Sequence, residues 1–248
     1  MSQQVIIDRD LEFRGAALYQ PNVKGPMMTE LKMWDEVFPG DAALYGWNEQ
    51  ETGCTIAHAA VDGGAETITG DNTTVDDLGE LSHTAQWSPY FNCGMEIKAK
   101  ISQITDVCVC VGFVDAKEAT NDHVAGELNS AAALRDPTVT ADAALMIFDT
   151  DATTDAWYVA AIANNVIGTP IVTAGSLAPV ADTYFKIRVQ TDSDGNVTFY
   201  YNGNAVGYLP EAVSHAVGNL LTPYVGFITR VKGAQVCTVS RITTWQDN

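Results

Sequence analysis

The chain has 248 residues, 46% of them hydrophobic and 18% charged, with 31 acidic against 13 basic side chains and a net charge of −18. That composition can supply the core of one large domain or two small ones, and it excludes a disordered chain. The acidity argues against nucleic acid or an anionic membrane as partner, since both need a basic patch, and no apolar run approaches the ~20 residues of a membrane helix.

In chain order, Met1-Ser2-Gln3-Gln4 lacks the basic start of an export signal, and Asp8, Arg9, Asp10 and Glu12 break up the stretch where its apolar segment would lie. Synthesis in the cytoplasm without a cleaved signal is the expectation. Residues 1–50 fit no alternating pattern and are expected to form an arm ahead of a single domain over residues 51–248. The arm is nonetheless apolar, with Leu11, Phe13, Leu18, Tyr19, Met27 and Met28. It must therefore pack on its own domain, on a sister subunit or on a partner. Within it, Thr29 is placed to cap a short helix with Leu31, Trp34, Val37 and Phe38 on one stripe, stopped at Pro39-Gly40.

Beyond the arm the period is two. Met95, Ile97, Ala99 and Ile101 alternate with Glu96, Lys98 and Lys100, as in a half-buried strand. Val107 to Val114 is apolar at every position, the pattern of a central strand covered on both faces. Glu127 to Leu134 is Ala-rich and reads as a short helical turn or a long loop. Further strands are expected at Ala143–Phe148, Trp157–Ala160, Tyr224–Val231 and Val236–Trp245. The firmest local feature is a hairpin from Tyr184 to Val206. Phe185, Ile187 and Val189, then Val197, Phe199 and Tyr201, point one way on either side of a turn at Asp194-Gly195. Many short strands with almost no helix imply an all-β sandwich.

Five cysteines, Cys54, Cys93, Cys108, Cys110 and Cys237, contain no C-x-x-C pair and are odd in number. They read as reduced, buried small hydrophobes rather than as a disulfide framework or zinc site. His58, His83, His123 and His215 lie more than twenty residues apart, and nothing in their spacing gathers them into a site. Asp149-Thr150-Asp151 followed by Asp155 imitates the start of a calcium loop. Thr154 stands where the loop's glycine belongs and Ala160 where its closing glutamate belongs, so a solvated turn is the better reading. Asp192 and Asp194 read as ordinary turn residues. Trp47 and Trp87 lie in loop-like sequence and are the candidates for an exposed sugar platform, whereas strand tryptophans such as Trp157 and Trp245 belong in a core.

From about residue 55 onward the order of motifs resembles the concanavalin-A-like lectin/glucanase jelly roll, laminin-G-like domains included. The strand Met95-Glu96-Ile97-Lys98-Ala99-Lys100-Ile101, the hairpin from Tyr184 through Gly195 to Val206, and Leu221-Thr222-Pro223-Tyr224-Val225-Gly226-Phe227 with the closing strand Val236 to Trp245 carry the likeness. Finer features resemble jelly-roll structural proteins of tailed phages. These are the Gly/Thr/Asp-rich stretch Asp62 to Asn72 and the strand Val111-Gly112-Phe113-Val114-Asp115.

The glucanase resemblance would imply a pair of catalytic carboxylates in the pattern E-x-D-x-x-E. No E-x-D occurs in the chain, and Glu96 and Glu118 stand alone. No catalytic, cofactor-binding or metal-ligating residue is therefore assigned, and no cofactor is expected. The phage resemblance implies a non-enzymatic capsid decoration protein on the virion surface. Its expected partners are the major capsid protein and further copies of itself, in a homo-oligomer such as a trimer. The alternative is a lectin-like glycan-binding module, as in a fibre, and after it a degenerate glycoside hydrolase.

Overall fold

The computed structural model describes residues 31–38, 47–59, 61, 63–117, 123–135 and 139–247. Strands dominate these residues, and they form two sheets. The first sheet runs β14 (Asn204–Leu209), β13 (Val197–Tyr201), β12 (Phe185–Thr191), β6 (Gly94–Ile101), β16 (Val236–Asp247), β4 (Ala65–Gly70), β3 (Cys54–Ala59), with β1 (Leu31–Glu36) also paired to β16. The second runs β10 (Val166–Ile167), β9 (Trp157–Ala163), β8 (Ala143–Asp149), β7 (Val107–Val114), β15 (Thr222–Thr229), β5 (Asp77–His83), β2 (Trp47–Thr52), with β11 (Ile171–Val172) also on β9. Pairing between these strands is antiparallel throughout, and the expected all-β sandwich is what the chain forms.

The two sheets differ in how they treat their outer faces. In β6 the residues Met95, Ile97, Ala99 and Ile101 enter the core between the sheets while Glu96, Lys98 and Lys100 face outward. The hairpin β12–β13 obeys the same rule. Val189 lies opposite Phe199 and Ile187 opposite Tyr201. Phe185, Ile187, Val189, Val197 and Phe199 are buried and Tyr201 is half-buried. The turn is closed by Asp192, whose carboxylate accepts the N–H groups of Asp194 and Asn196, and Gly195 takes the positive φ of 77° that the tight reversal requires. In the second sheet, every residue of β7, β8 and β15 is buried. Val107, Val109, Val111 and Phe113 point into the inter-sheet core, whereas Cys108, Cys110 and Val114 join a second apolar cluster on the far side.

Two expectations about the first fifty residues need correction where the chain is described. Leu31–Glu36 is a strand, not a helix: Leu31 pairs with Asp247 and Glu36 with Ile242. A helix would have left one edge of β16 unpaired over Ile242–Asp247, where β6 covers only the other edge, and ladder pairing outweighs a weak local preference. Residues 47–50 likewise belong to β2, hydrogen-bonded to β5, so a boundary at residue 50 would cut a strand of the sandwich. The remainder of the arm, residues 1–30 and 39–46, lies outside the described residues.

All five cysteines are buried free thiols, as their spacing suggests. Cys54, Cys93 and Cys237 sit in the inter-sheet core, and burial pushes each thiol up to about 12. Cys108 and Cys110 lie beneath Gly126, whose carbonyl is 4.0 Å from the Cys108 sulfur. A Cβ on Gly126 would come within 2.4 Å of the Cys110 Cβ. The native protein should be inert to Ellman's reagent, and all five thiols should titrate in denaturant without reductant. Gly126→Ala should cost about 1–3 kcal/mol through overpacking, and it should make Cys108 and Cys110 react before the other three.

Candidate functional site

A sandwich offers two outer faces, and here one is closed and the other open. The closing element is the segment 123–135, between β7 and β8. Its Val124, Ala125, Leu128 and Leu134 pack onto the outward side chains of the second sheet, among them Leu145, Ile147 and Tyr158. Leu128 and Leu134 bridge to each other, and the Asn129 side chain accepts the N–H groups of Ala131 and Ala133 in the turn between them. The Ala-rich run is therefore a folded-back loop, the second of the two conformations its sequence allows.

Polar groups fasten this strap. Arg230, at the end of β15, donates to Asp149 Oδ2 at 2.6 Å and to Glu127 Oε1 at 2.8 Å, and it also lies 3.6 Å from Asp76 and from Asp151. Arg230 and Glu127 are each 7% exposed at the side chain and Asp149 is fully buried. Asp149 also accepts the Leu128 N–H at 2.9 Å, and Arg135 of the strap reaches Glu127 at 3.1 Å. Deeper under the strap, the Tyr224 hydroxyl donates to Glu80 and accepts the Ala125 N–H at 3.1 Å. Burial, reinforced by the Glu80 charge, pushes the Tyr224 phenol well above its usual range.

The outer face of the first sheet is open. Register sets Arg188 beside Tyr200 on one flank and Glu96 on the other, and sets Lys98 between Lys186 and Arg241. Lys98, Lys186, Tyr184 and Tyr208 are exposed, and Lys100, Arg188, Tyr200, Arg241 and Trp245 are half-buried. Arg241 is held in a two-pronged bond to Asp35 of β1 at 2.6 and 2.8 Å, with Thr243 donating to the same carboxylate. Glu96 lies 3.5 Å from the Lys186 ammonium and 3.4 Å from the Arg188 guanidinium. Three cations also lie over rings: Lys98 at 4.5 Å and Lys100 at 5.5 Å from the centre of Tyr184, and Arg188 at 4.7 Å from Tyr200.

The residues singled out from sequence fall elsewhere. Trp47 and Trp87 are not a surface platform: Trp87 is fully buried and Trp47 nearly so. They close one end of the core, where half-buried Trp34 lies 5.3 Å from Trp47 and 4.3 Å from His83, and the Lys32 ammonium sits 4.5 Å from the Trp87 ring. Asp151 and Asp155 are exposed in a turn, as expected, whereas Asp149 is fully buried against Arg230, a pairing not visible in a local motif. The histidines are not gathered: His58 lies 3.3 Å from buried Glu66, His83 lies tilted against Trp34, and His123 is buried at the start of the strap. Nothing in the spacing of Arg230, Glu127, Glu80 and Tyr224 reveals that the fold brings them together beneath and beside the strap. Only Arg230 leaves a trace in the sequence, as the charge that ends the apolar run of β15.

No family model matches this sequence, and no curated protein does. Solved structures do match in fold. The carbohydrate recognition domain of Emp47p superposes with a TM-score of 0.56 at 11% identity, over 90% of this chain and 100% of that one. The β-glucanase of Bacillus licheniformis gives 0.59 at 10% identity, over 87% and 98%. Peanut lectin gives 0.55 at 12% identity, over 87% and 97%. The fold is thus the concanavalin-A-like lectin and glucanase jelly-roll sandwich, as the motif order implied. These neighbours carry nothing that bears on a phage virion.

If Arg230 is what fastens the strap, Arg230→Met should leave Asp149 buried without its cation and Glu127 with Arg135 alone. The expected loss is about 3–5 kcal/mol in urea unfolding. Lys232→Met, an exposed cation two residues further on, should change stability by no more than about 0.5 kcal/mol.

Proposed function

We propose that this protein is a lectin-like carbohydrate-binding protein without hydrolytic activity. Its fold neighbours divide between carbohydrate recognition and glucan cleavage. What favours the first is the closed outer face of the second sheet. Hydrolysis with retention needs two carboxyl groups about 5–5.5 Å apart, open to the sugar and to water. On this face β8 presents Ala143, Leu145 and Ile147 outward, its Asp149 and the strap's Glu127 are both engaged by Arg230, and Glu80 is bonded to Tyr224 beneath Ala125. A substrate would have to displace the strap and break these bonds before meeting a carboxylate.

The capsid-decoration role implied by the phage resemblance gains no support from the neighbours and is not the reading favoured by this geometry. A glycan array with the full chain, followed by calorimetry on the hits, tests the proposal alongside reducing-sugar release from the same glycans. Saturable binding with no sugar release is the expected result. Release above a heat-killed control would overturn the non-hydrolytic part, and absence of binding to every glycan would overturn the whole.

A further inference from the structure

Positive charge is scarce in this protein, and it is not evenly spread. Lys98, Lys100, Lys186, Arg188 and Arg241, five of the chain's 13 basic residues, share the outer face of the first sheet with Glu96 and Asp35 among them and Asp247 at the far end of β16. The remainder of a chain with a net charge of −18 is correspondingly more acidic. Glu96 and Asp35 are occupied by Lys186, Arg188 and Arg241. Among the described residues no carboxylate lies within ion-pair distance of Lys98 or Lys100, which rest on the ring of Tyr184 instead. Neighbouring strands lie about 4.8 Å apart, so Lys186, Lys98 and Arg241 form a row about 10 Å long across β12, β6 and β16. Tyr184, Tyr200 and Tyr208 border this row with ring surface, and Gln190 and Thr198 lie opposite each other with further hydrogen-bonding groups.

We propose that this face is the glycan-binding surface and that its ligand is a polyanionic glycan bearing carboxylate or sulfate groups. The inference rests on the carbohydrate-binding reading above and adds to it a site and a ligand class. Cations at strand spacing meet anionic groups repeated along a polymer, and aromatic rings between them stack against the sugar faces that carry those groups. Against so acidic a protein a polyanion is repelled everywhere except at a local cluster of this sign, so the patch also fixes where the polymer can lie. A flat, open sheet face suits a chain bound along its length, with many weak contacts adding up.

The test uses the full chain with polygalacturonate and chondroitin sulfate as anionic probes, a neutral β-glucan, and double-stranded DNA as a polyanion without sugar acids. Binding of the two acidic glycans should be measurable at low salt and should weaken strongly at about 0.5 M, where screening acts over a few ångströms. The double variant K98E/K186E, altered only at exposed positions, should stay folded with a melting temperature within a few degrees of wild type, the scale of losing the Lys186–Glu96 pair. It should lose about tenfold in affinity for these glycans, the scale of reversing two exposed charges. Binding of neutral glucan alone, unaffected by K98E/K186E, would overturn this inference and leave the carbohydrate-binding reading standing. Failure to bind any glycan would remove both. DNA bound as tightly as the acidic glycans would overturn the assignment of ligand class. So would a salt-sensitive dimer that K98E/K186E disperses, which would assign the face to a second copy of the chain.

Discussion

The Arg230 guanidinium, wedged between Asp149 and Glu127, is the contact on which the arrangement of the second sheet depends. It joins a strand end to a strap that has little regular structure of its own. Burying a cation is costly unless it is paired and hydrogen-bonded. Asp149 and Glu127 supply that pairing from inside, and Asp76 and Asp151 supply it from the rim. The cluster recruits β15, β8, the strap and the turn before β5, elements far apart in sequence. Its contribution is specificity of position as much as energy, because an apolar strap alone could slide over Cys108, Cys110 and Ile147 at little cost.

That strap is a necessity of composition. The strands β7, β8 and β15 are apolar at consecutive positions, so their sheet has two hydrophobic faces and only one of them meets the other sheet. An exposed apolar sheet face of this width would invite association. The first sheet has no such problem, because its outward positions alternate Lys, Arg, Glu, Gln and Tyr with the core residues. The one sandwich therefore joins two kinds of sheet: one buried on both sides, like the middle layer of a layered protein, and one with a solvated face.

The same difference decides what can be read from sequence. Strands β6, β12 and β13 are legible to the residue because one face meets water, which forces alternation and makes register visible. β7 is legible as a doubly covered strand, although nothing nearby in the sequence identifies its cover. β1 is not, because Leu31, Trp34, Val37 and Phe38 satisfy helical spacing as well as Lys32 and Trp34 satisfy the inward positions of a strand. The partner that decides between them, β16, lies some two hundred residues away. Trp47 and Trp87 mislead for a related reason: Gly, Asn and Pro around them mark loop-like sequence, but loop sequence at the end of a sandwich can still close its core. Asp149 and Asp151 look like a local acidic turn because their cation, Arg230, is 81 residues downstream of Asp149.

Closing one face also limits how the fold can be used. A jelly-roll sandwich serves recognition and hydrolysis alike among its neighbours, so architecture alone does not choose between them. What favours recognition in the reading proposed above is what occupies the outward positions. Ala143, Leu145 and Ile147 lie under a fastened strap, and the carboxylates beside them, Asp149, Glu127 and Glu80, are held by Arg230 and Tyr224. The open, charged face is that of the opposite sheet, where Lys98 and Lys100 lie over Tyr184 with no carboxylate of the described residues at ion-pair distance. In a protein this acidic, two ammonium groups over one ring are a local reversal of sign, and that reversal is the ground for proposing an anionic ligand there.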